Sequence, residues 1–121
     1  MAVQTGVINM ATFLTKGVDD RRIKEAYVKD RVKRWLNSIG AYQFWPVQSG
    51  LGAQGIPDCI FCWNGFFGSI ETKRPGRRGH ADRGCSKLQI AQGRAIVKAQ
   101  GYWAVVDGPA DLNELRLKMN V

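Results

Sequence analysis

Apolar residues recur at helical spacing near the start of the chain, where Val28, Val32, Trp35, Leu36 and Ile39 fall on one face. The pattern predicts a helix capped by Asp19 or Asp20, running to about Ile39 and stopped by Gly40. Glu25 lies seven residues before Val32 and so belongs to the same face. The period then shortens. Residues 42–47 read as a strand with Pro46 near its end. Residues 56–63 and 66–73 read as two strands joined at Asn64-Gly65, a pair suited to a type I′ turn, which needs φ > 0 at both central positions. A loop rich in Gly and Arg follows over 74–85. Ser86 opens a helix to about Ala99 with Gly101 as its end, and residues 102–106 form a last strand. Asp111 and Glu114, three apart, start a short terminal helix as a capping box. The order is α-β-β-β-α-β-α. Strand 66–73, helix 86–99 and strand 102–106 form a crossover unit, expected to be parallel and right-handed. The expected fold is α/β, a mixed sheet (hairpin plus parallel crossover strand) flanked by helices. Residues 1–18 are weakly patterned and read as an arm before a single domain over 19–121.

The hairpin register carries the first chemical signal. A two-residue turn at Asn64-Gly65 pairs Trp63 with Phe66, and five steps outward the same register pairs Asp58 with Glu71. Directly opposite residues hold their Cβ atoms about 4.5–5.5 Å apart on one face. Lys73, two residues beyond Glu71, shares that face. Like charges so placed cost about 0.2–1 kcal/mol, and a divalent cation with a neighbouring ammonium would offset that cost.

Composition narrows the partner. The chain has 121 residues, enough for one domain with a real core, and a net charge of +8. Of its 18 Lys and Arg residues, 13 fall in two stretches, seven over 21–34 and six over 73–87. Such a concentrated field points to a polyanion, nucleic acid before an acidic membrane surface. No apolar run approaches the roughly 20 residues of a membrane span, and the N-terminus lacks the pattern of a secretory signal. Three cysteines, an odd number, then read as reduced thiols of a cytoplasmic protein.

Gly55, Ile56, Pro57 and Asp58, followed by Glu71, Thr72 and Lys73, resemble the Pro-Asp…(Asp/Glu)-x-Lys signature of restriction-endonuclease-like nucleases. More narrowly, the chain resembles the VRR-NUC family, small stand-alone type. That family's early helical Glu matches Glu25, and its strand ending in Pro matches Phe44 to Pro46. Its Gly-rich turn matches residues 50–58, and the Gln opening its next helix matches Gln89. The match covers about residues 22–107. The resemblance implies a restriction-endonuclease-like core and Mg²⁺-dependent endonucleolytic cleavage of DNA, with Mn²⁺ able to substitute. Branched DNA such as a four-way (Holliday) junction is the implied substrate, and a homodimer the implied assembly, since nicking two strands needs two sites. It implies Asp58, Glu71 and the Thr72 backbone carbonyl as metal ligands, with Glu25 anchoring a metal-bound water or a second ion. Lys73 would position or deprotonate the attacking water, and Gln89 would contact that water or the scissile phosphate. Arg74, Arg77, Arg78, His80, Arg83 and Lys87 would track the nucleic-acid backbone. The chemistry agrees: Mg²⁺ prefers one or two carboxylates plus water and phosphate, and it both acidifies its water and acts as a Lewis acid.

Competing readings exist for each residue. Glu71 and Lys73 alone could be an exposed edge-strand pair, and Glu25 a polar residue at a helix rim. Gln89 with Ser86 is a capping box, which explains it structurally. A DNA-binding module without turnover, or a nuclease for ordinary duplex, would share the basic loop. An RNA-binding sheet would need stacking aromatics on an open face; Phe61, Trp63 and Phe66 are instead expected in the core. Residues 50–55 fit G-x-G-x-x-G, but no helix follows to receive a pyrophosphate. Cys59, Cys62, His80 and Cys85 suggest zinc, but an odd separation on a strand sends Cys59 and Cys62 to opposite faces, so buried thiols are expected.

Overall fold

Four strands form one mixed sheet in the computed structural model, which describes residues 24–47, 55–77 and 80–121. In chain order the elements are α1 (Glu25–Ser38), β1 (Tyr42–Phe44), β2 (Cys59–Trp63), β3 (Phe66–Thr72), α2 (Lys87–Lys98), β4 (Tyr102–Val106) and α3 (Pro109–Met119). The sheet runs β1-β2-β3-β4. The first two pairings are antiparallel and β3 with β4 is parallel, as a helical crossover requires. The α/β class and the element order therefore agree with the sequence pattern. Among the described residues, no helix is long and apolar enough to cross a membrane.

The hairpin forms in the expected register, with Trp63 paired to Phe66 and Cys59 to Ile70. Asn64 and Gly65 both take positive φ, 50° and 82°, as a type I′ turn demands. Opposed residues share a face, so Phe61 and Gly68 lie together on one side of the sheet. A Cβ at Gly68 would land on the Phe61 ring; only glycine lets that ring lie flat over the strand. Around Phe61 gather Val28, Val32, Leu36 and Ile39 from the α1 region, Cys59, Ile70 and Val106 from the sheet, and Leu112, Leu115 and Met119 from α3. This is the core, covered by two helices. Among the described residues the other side is covered by α2, which approaches closely because Gly93 leaves room for the Trp103 ring.

Several boundaries differ from the sequence reading, each for a local reason. Helix α1 starts at Glu25, with Lys24 extended before it; Asp19 and Asp20, like the 1–18 arm, lie outside the described residues. Strand β1 stops at Phe44 rather than Val47, because Pro46 has no N–H to continue a ladder. Strand β2 starts at Cys59 rather than 56. The register would put Pro57 opposite Thr72, and again the proline lacks the donor. Helix α2 does begin with a capping box between Ser86 and Gln89. Its left-handed end residue, however, is Gln100 at φ 70°, not Gly101. Bonds from the Gln100 N–H to the Val97 carbonyl (2.9 Å) and from the Gly101 N–H to the Ile96 carbonyl (2.9 Å) complete a Schellman motif. Gly101 is a matter of space, since a Cβ there would press on Ile96. Helix α3 starts at Pro109, a residue type suited to the first turn. Asp111 is not its cap: it is buried within the helix, and its Oδ2 accepts from the Asp107 N–H at 3.0 Å.

Aromatic placement also needs correction. Phe61 is core and Trp63 packs against it, but Phe66 is about half exposed, edge-on to Tyr102. Of the cysteines, Cys59 is buried, Cys85 half-buried and Cys62 exposed. The opposite-face argument thus holds, while the expectation of buried thiols holds only for Cys59.

Candidate active site

Where β2 begins and β3 ends, five side chains expected to act together form one hydrogen-bonded cluster. Strand alternation distributes them. Glu71 and Lys73 point to the α2 side, and Thr72, between them, points to the α1 side. Gln89, one turn into α2, ties the first two: its Nε2 donates to Glu71 Oε2 at 2.9 Å, and its Oε1 accepts from Lys73 Nζ at 3.2 Å. The same Oε1 accepts from the Ser86 N–H at 2.9 Å, while the Gln89 N–H donates to Ser86 Oγ at 3.1 Å. The structural and functional readings of Gln89 are therefore the same geometry. Only this amide orientation satisfies two donors at Oε1 and a carboxylate at Nε2.

On the other side, Thr72 joins two carboxylates. Its N–H donates to Asp58 Oδ2 at 2.9 Å, so the Asp58 carboxylate stands in for the ladder acceptor that β2 no longer supplies. Its hydroxyl faces both Asp58 Oδ2 and Glu25 Oε1 at 3.1 Å. One hydroxyl proton cannot serve both at once, so this corner holds more acceptors than donors. Lys29 Nζ lies 4.0 Å from Glu25 Oε1 on the outer side. The expected simple face-to-face placement of Asp58 and Glu71 is thereby modified: Asp58 sits at the expected register position but turns its carboxylate toward Thr72.

The two acids still feel one another. Glu71 is only 1% exposed. Its carboxyl is pushed up to about 8, first by burial and next by the Asp58 charge. Lys73 and the Asp58 backbone N–H oppose the shift, whereas a side-chain hydrogen bond with Asp58 adds to it. A desolvated acid pair with one ammonium nearby lacks positive charge. An all-oxygen donor set of this kind fits a hard divalent cation such as Mg²⁺. Among the described residues no three His, Cys, Asp or Glu side chains form a metal-ligating group. Glu25 reaches the pair through Thr72 rather than completing a three-carboxylate cage, and the Cys59, Cys62, His80, Cys85 set is not gathered.

The basic residues are less uniform than their sequence suggests. Arg74 follows Lys73 and is exposed, and Lys87 is exposed in the first turn of α2. Arg77 is half-buried with its stem against Gly84, and His80 is exposed before a short turn over Ala81–Gly84. Arg83 instead pairs with Asp111, whose carboxyl burial pushes up to about 6. A contact from Arg83 to a phosphate would have to use its remaining N–H groups. Arg78 lies outside the described residues. Two participants were missed from sequence: the Thr72 side chain, noted only for its carbonyl, and Cys85. Burial raises the Cys85 thiol, and Lys73, Glu71, Arg83 and Asp58 all act on it electrostatically. Strand alternation could have exposed the first, since Thr72 alone between Glu71 and Lys73 faces α1. Comparison with protein-family models, with curated proteins and with solved structures gives no match to this chain.

Proposed function

We propose that this chain is a metal-dependent DNA endonuclease with a restriction-endonuclease-like core, acting on branched DNA. One observation carries the reading: Asp58, Glu71, Lys73, Gln89 and Glu25, drawn from four separate segments, converge on one hydrogen-bonded cluster at the end of a hairpin. A scaffold that only displayed charge would have no need to bury Glu71 beside Asp58. The net charge of +8 supplies attraction for a polyanion.

Asp58 and Glu71 would hold Mg²⁺ or Mn²⁺, with the Thr72 carbonyl as the further ligand that the VRR-NUC resemblance implies. The ion would acidify a water and stabilise charge on the phosphoryl oxygens. The chain's own groups do the positioning. Gln89 fixes Glu71 and Lys73 relative to each other. Lys73 presents its ammonium at the carboxylates' edge, where it can orient a water and take part in its deprotonation. Thr72 fixes Asp58 and links it to Glu25. Arg74, Arg77 and Lys87 flank this end and would contact phosphates, which position a duplex without reading its sequence.

The test is cleavage of an end-labelled four-way junction beside a linear duplex of the same sequence, with Mg²⁺ or EDTA. Wild type should cut the junction only with metal, and Asp58→Ala should lower the rate by more than ~100-fold. Equal cutting of both substrates would keep the chemistry but remove the branched-DNA assignment. Salt-sensitive binding without cutting, in either metal, would leave a DNA-binding module without turnover.

A further inference from the structure

The basic loop joins β3 to α2, and the cluster stands at both of its ends. Glu71 and Lys73 precede it, and Gln89, which bonds them both, follows it. The two ends meet at Asp111. At the first, the Lys73 N–H donates to the Val106 carbonyl at 2.9 Å. The next residue, Asp107, donates its N–H to Asp111 Oδ2 at 3.0 Å. At the second end, the Arg83 guanidinium pairs with Asp111 Oδ1. A carboxylate only 3% exposed needs such a partner.

The turn over Ala81–Gly84 also needs a hold from outside. Asp82, Arg83 and Gly84 take φ of 51°, 55° and 79° in succession. Glycine adopts this left-handed conformation freely and aspartate occasionally, but arginine does so at a cost. Local bonds close the turn, from the Arg83 N–H to the His80 carbonyl and from the Cys85 N–H to the Asp82 carbonyl, both 2.9 Å. Among the described residues, the pair with Asp111 is what ties the turn to α3. Arg83 is followed by Gly84 and Cys85, and then by Ser86, the cap of α2. So short a link leaves little slack, and a shift of Arg83 passes to Ser86. Ser86 in turn bonds the Gln89 side chain through its N–H, and the Gln89 N–H through its Oγ.

We propose that Asp111 is a positioning residue for the cluster: by holding Arg83 it sets where α2 starts, and so keeps Gln89 against Glu71 and Lys73. Asp111 needs no contact with substrate or metal for this. For its effect on rate the inference rests on the nuclease reading; for its effect on α2 it does not.

The experiment follows hydrogen exchange of single backbone amides, beside cleavage of the end-labelled junction in Mg²⁺. Asp111→Asn keeps an acceptor for the Asp107 N–H and removes the charge that holds Arg83. The Gln89 amide should then exchange about tenfold faster, while the Phe61 and Ile70 amides keep their wild-type protection. Cleavage should lose about tenfold in kcat with KM within about twofold, the mark of a misplaced group rather than a lost binding contact. Arg83→Gln should speed the Gln89 amide alike, and the double variant no further, because the two residues act as one unit. Should Asp111→Asn not fold, Arg83→Gln, at a partly exposed residue, carries the test alone. Unchanged Gln89 exchange in the folded variant overturns the proposal. So does a rise shared equally by Phe61 and Ile70, which marks loosening of the whole fold. If wild type cuts nothing, the nuclease reading fails and the exchange result still decides the proposal.

Discussion

The two faces of this sheet differ in how they are filled. On one, Phe61 lies over Gly68 among buried side chains of α1 and α3, with Trp35, Trp45 and Trp63 partly buried around them. On the other, α2 touches the sheet through Gly93 and Trp103, covers β3 and β4, and leaves Tyr42, Phe44 and Phe67 in solvent. The cluster of Asp58, Glu71, Lys73 and Gln89 lies where the strands end, with Thr72 turned to the first face and Glu71 to the second. The core face fixes strand position, and the α2 face carries the buried charge and the free surface. The end of β3 therefore spreads the cluster over both faces, with Thr72, Asp58 and Glu25 on the core side and Glu71, Lys73 and Gln89 on the α2 side.

Substitutions separate the two most clearly where they remove similar rings. Phe61→Ala should lower unfolding free energy by about 3–5 kcal/mol in urea melts. Phe67→Ala, followed at low chain concentration, should cost less than ~1 kcal/mol; an equal cost would mean that the α2 face also holds the monomer together. Next in size is the buried acid. Burial pushes the folded Glu71 carboxyl up to about 8 from an ordinary value of 4.5, so the folded state keeps a proton that the unfolded chain releases between those values. The stabilisation is complete below pH 4.5, declines as pH rises and is gone above about 8. In EDTA the melting temperature should fall across that window. Glu71→Gln should flatten the fall and raise stability at its alkaline end, by an amount on the order of a few kcal/mol. A wild-type profile without the fall would remove the buried-acid account. The smallest effect concerns the basic loop. Arg83→Ala should cost roughly 1–3 kcal/mol, because it leaves the Asp111 carboxylate without its guanidinium. Arg74→Ala should leave melting unchanged and weaken DNA binding instead. If both variants behave like Arg74→Ala, the Arg83–Asp111 pair contributes nothing to the fold.

The hairpin was the most legible part of the chain, because Asn64-Gly65 determines both turn type and register, and register alone brings Asp58 to Glu71. Gln89 was legible too, since a capping box has a fixed spacing from Ser86. Element ends were not. The starts of β2 and α3 and the end of β1 depend on which backbone donors find partners across the sheet, and proline acts there through neighbours that spacing does not reveal. The turn of Asp58 toward Thr72 is such a case: a carboxylate took over a ladder position. Arg83 looked like its basic neighbours because its partner, Asp111, is 28 residues away. Phe66 and Cys62 are exposed against expectation, because strand pattern says which face a residue is on, not whether a helix covers that face.

Gln89 gives the first turn of α2 an unusual property. Its amide holds the helix start and the Glu71 carboxylate at once, so fraying of that turn and release of Glu71 are one event. Any cation or proton that changes how firmly Glu71 holds Nε2 will alter how often the turn opens. The backbone amide of Gln89, bonded to Ser86, should therefore exchange with deuterium at a rate that tracks the charge state of the carboxylate cluster, making hydrogen exchange a direct probe of the site without any substrate.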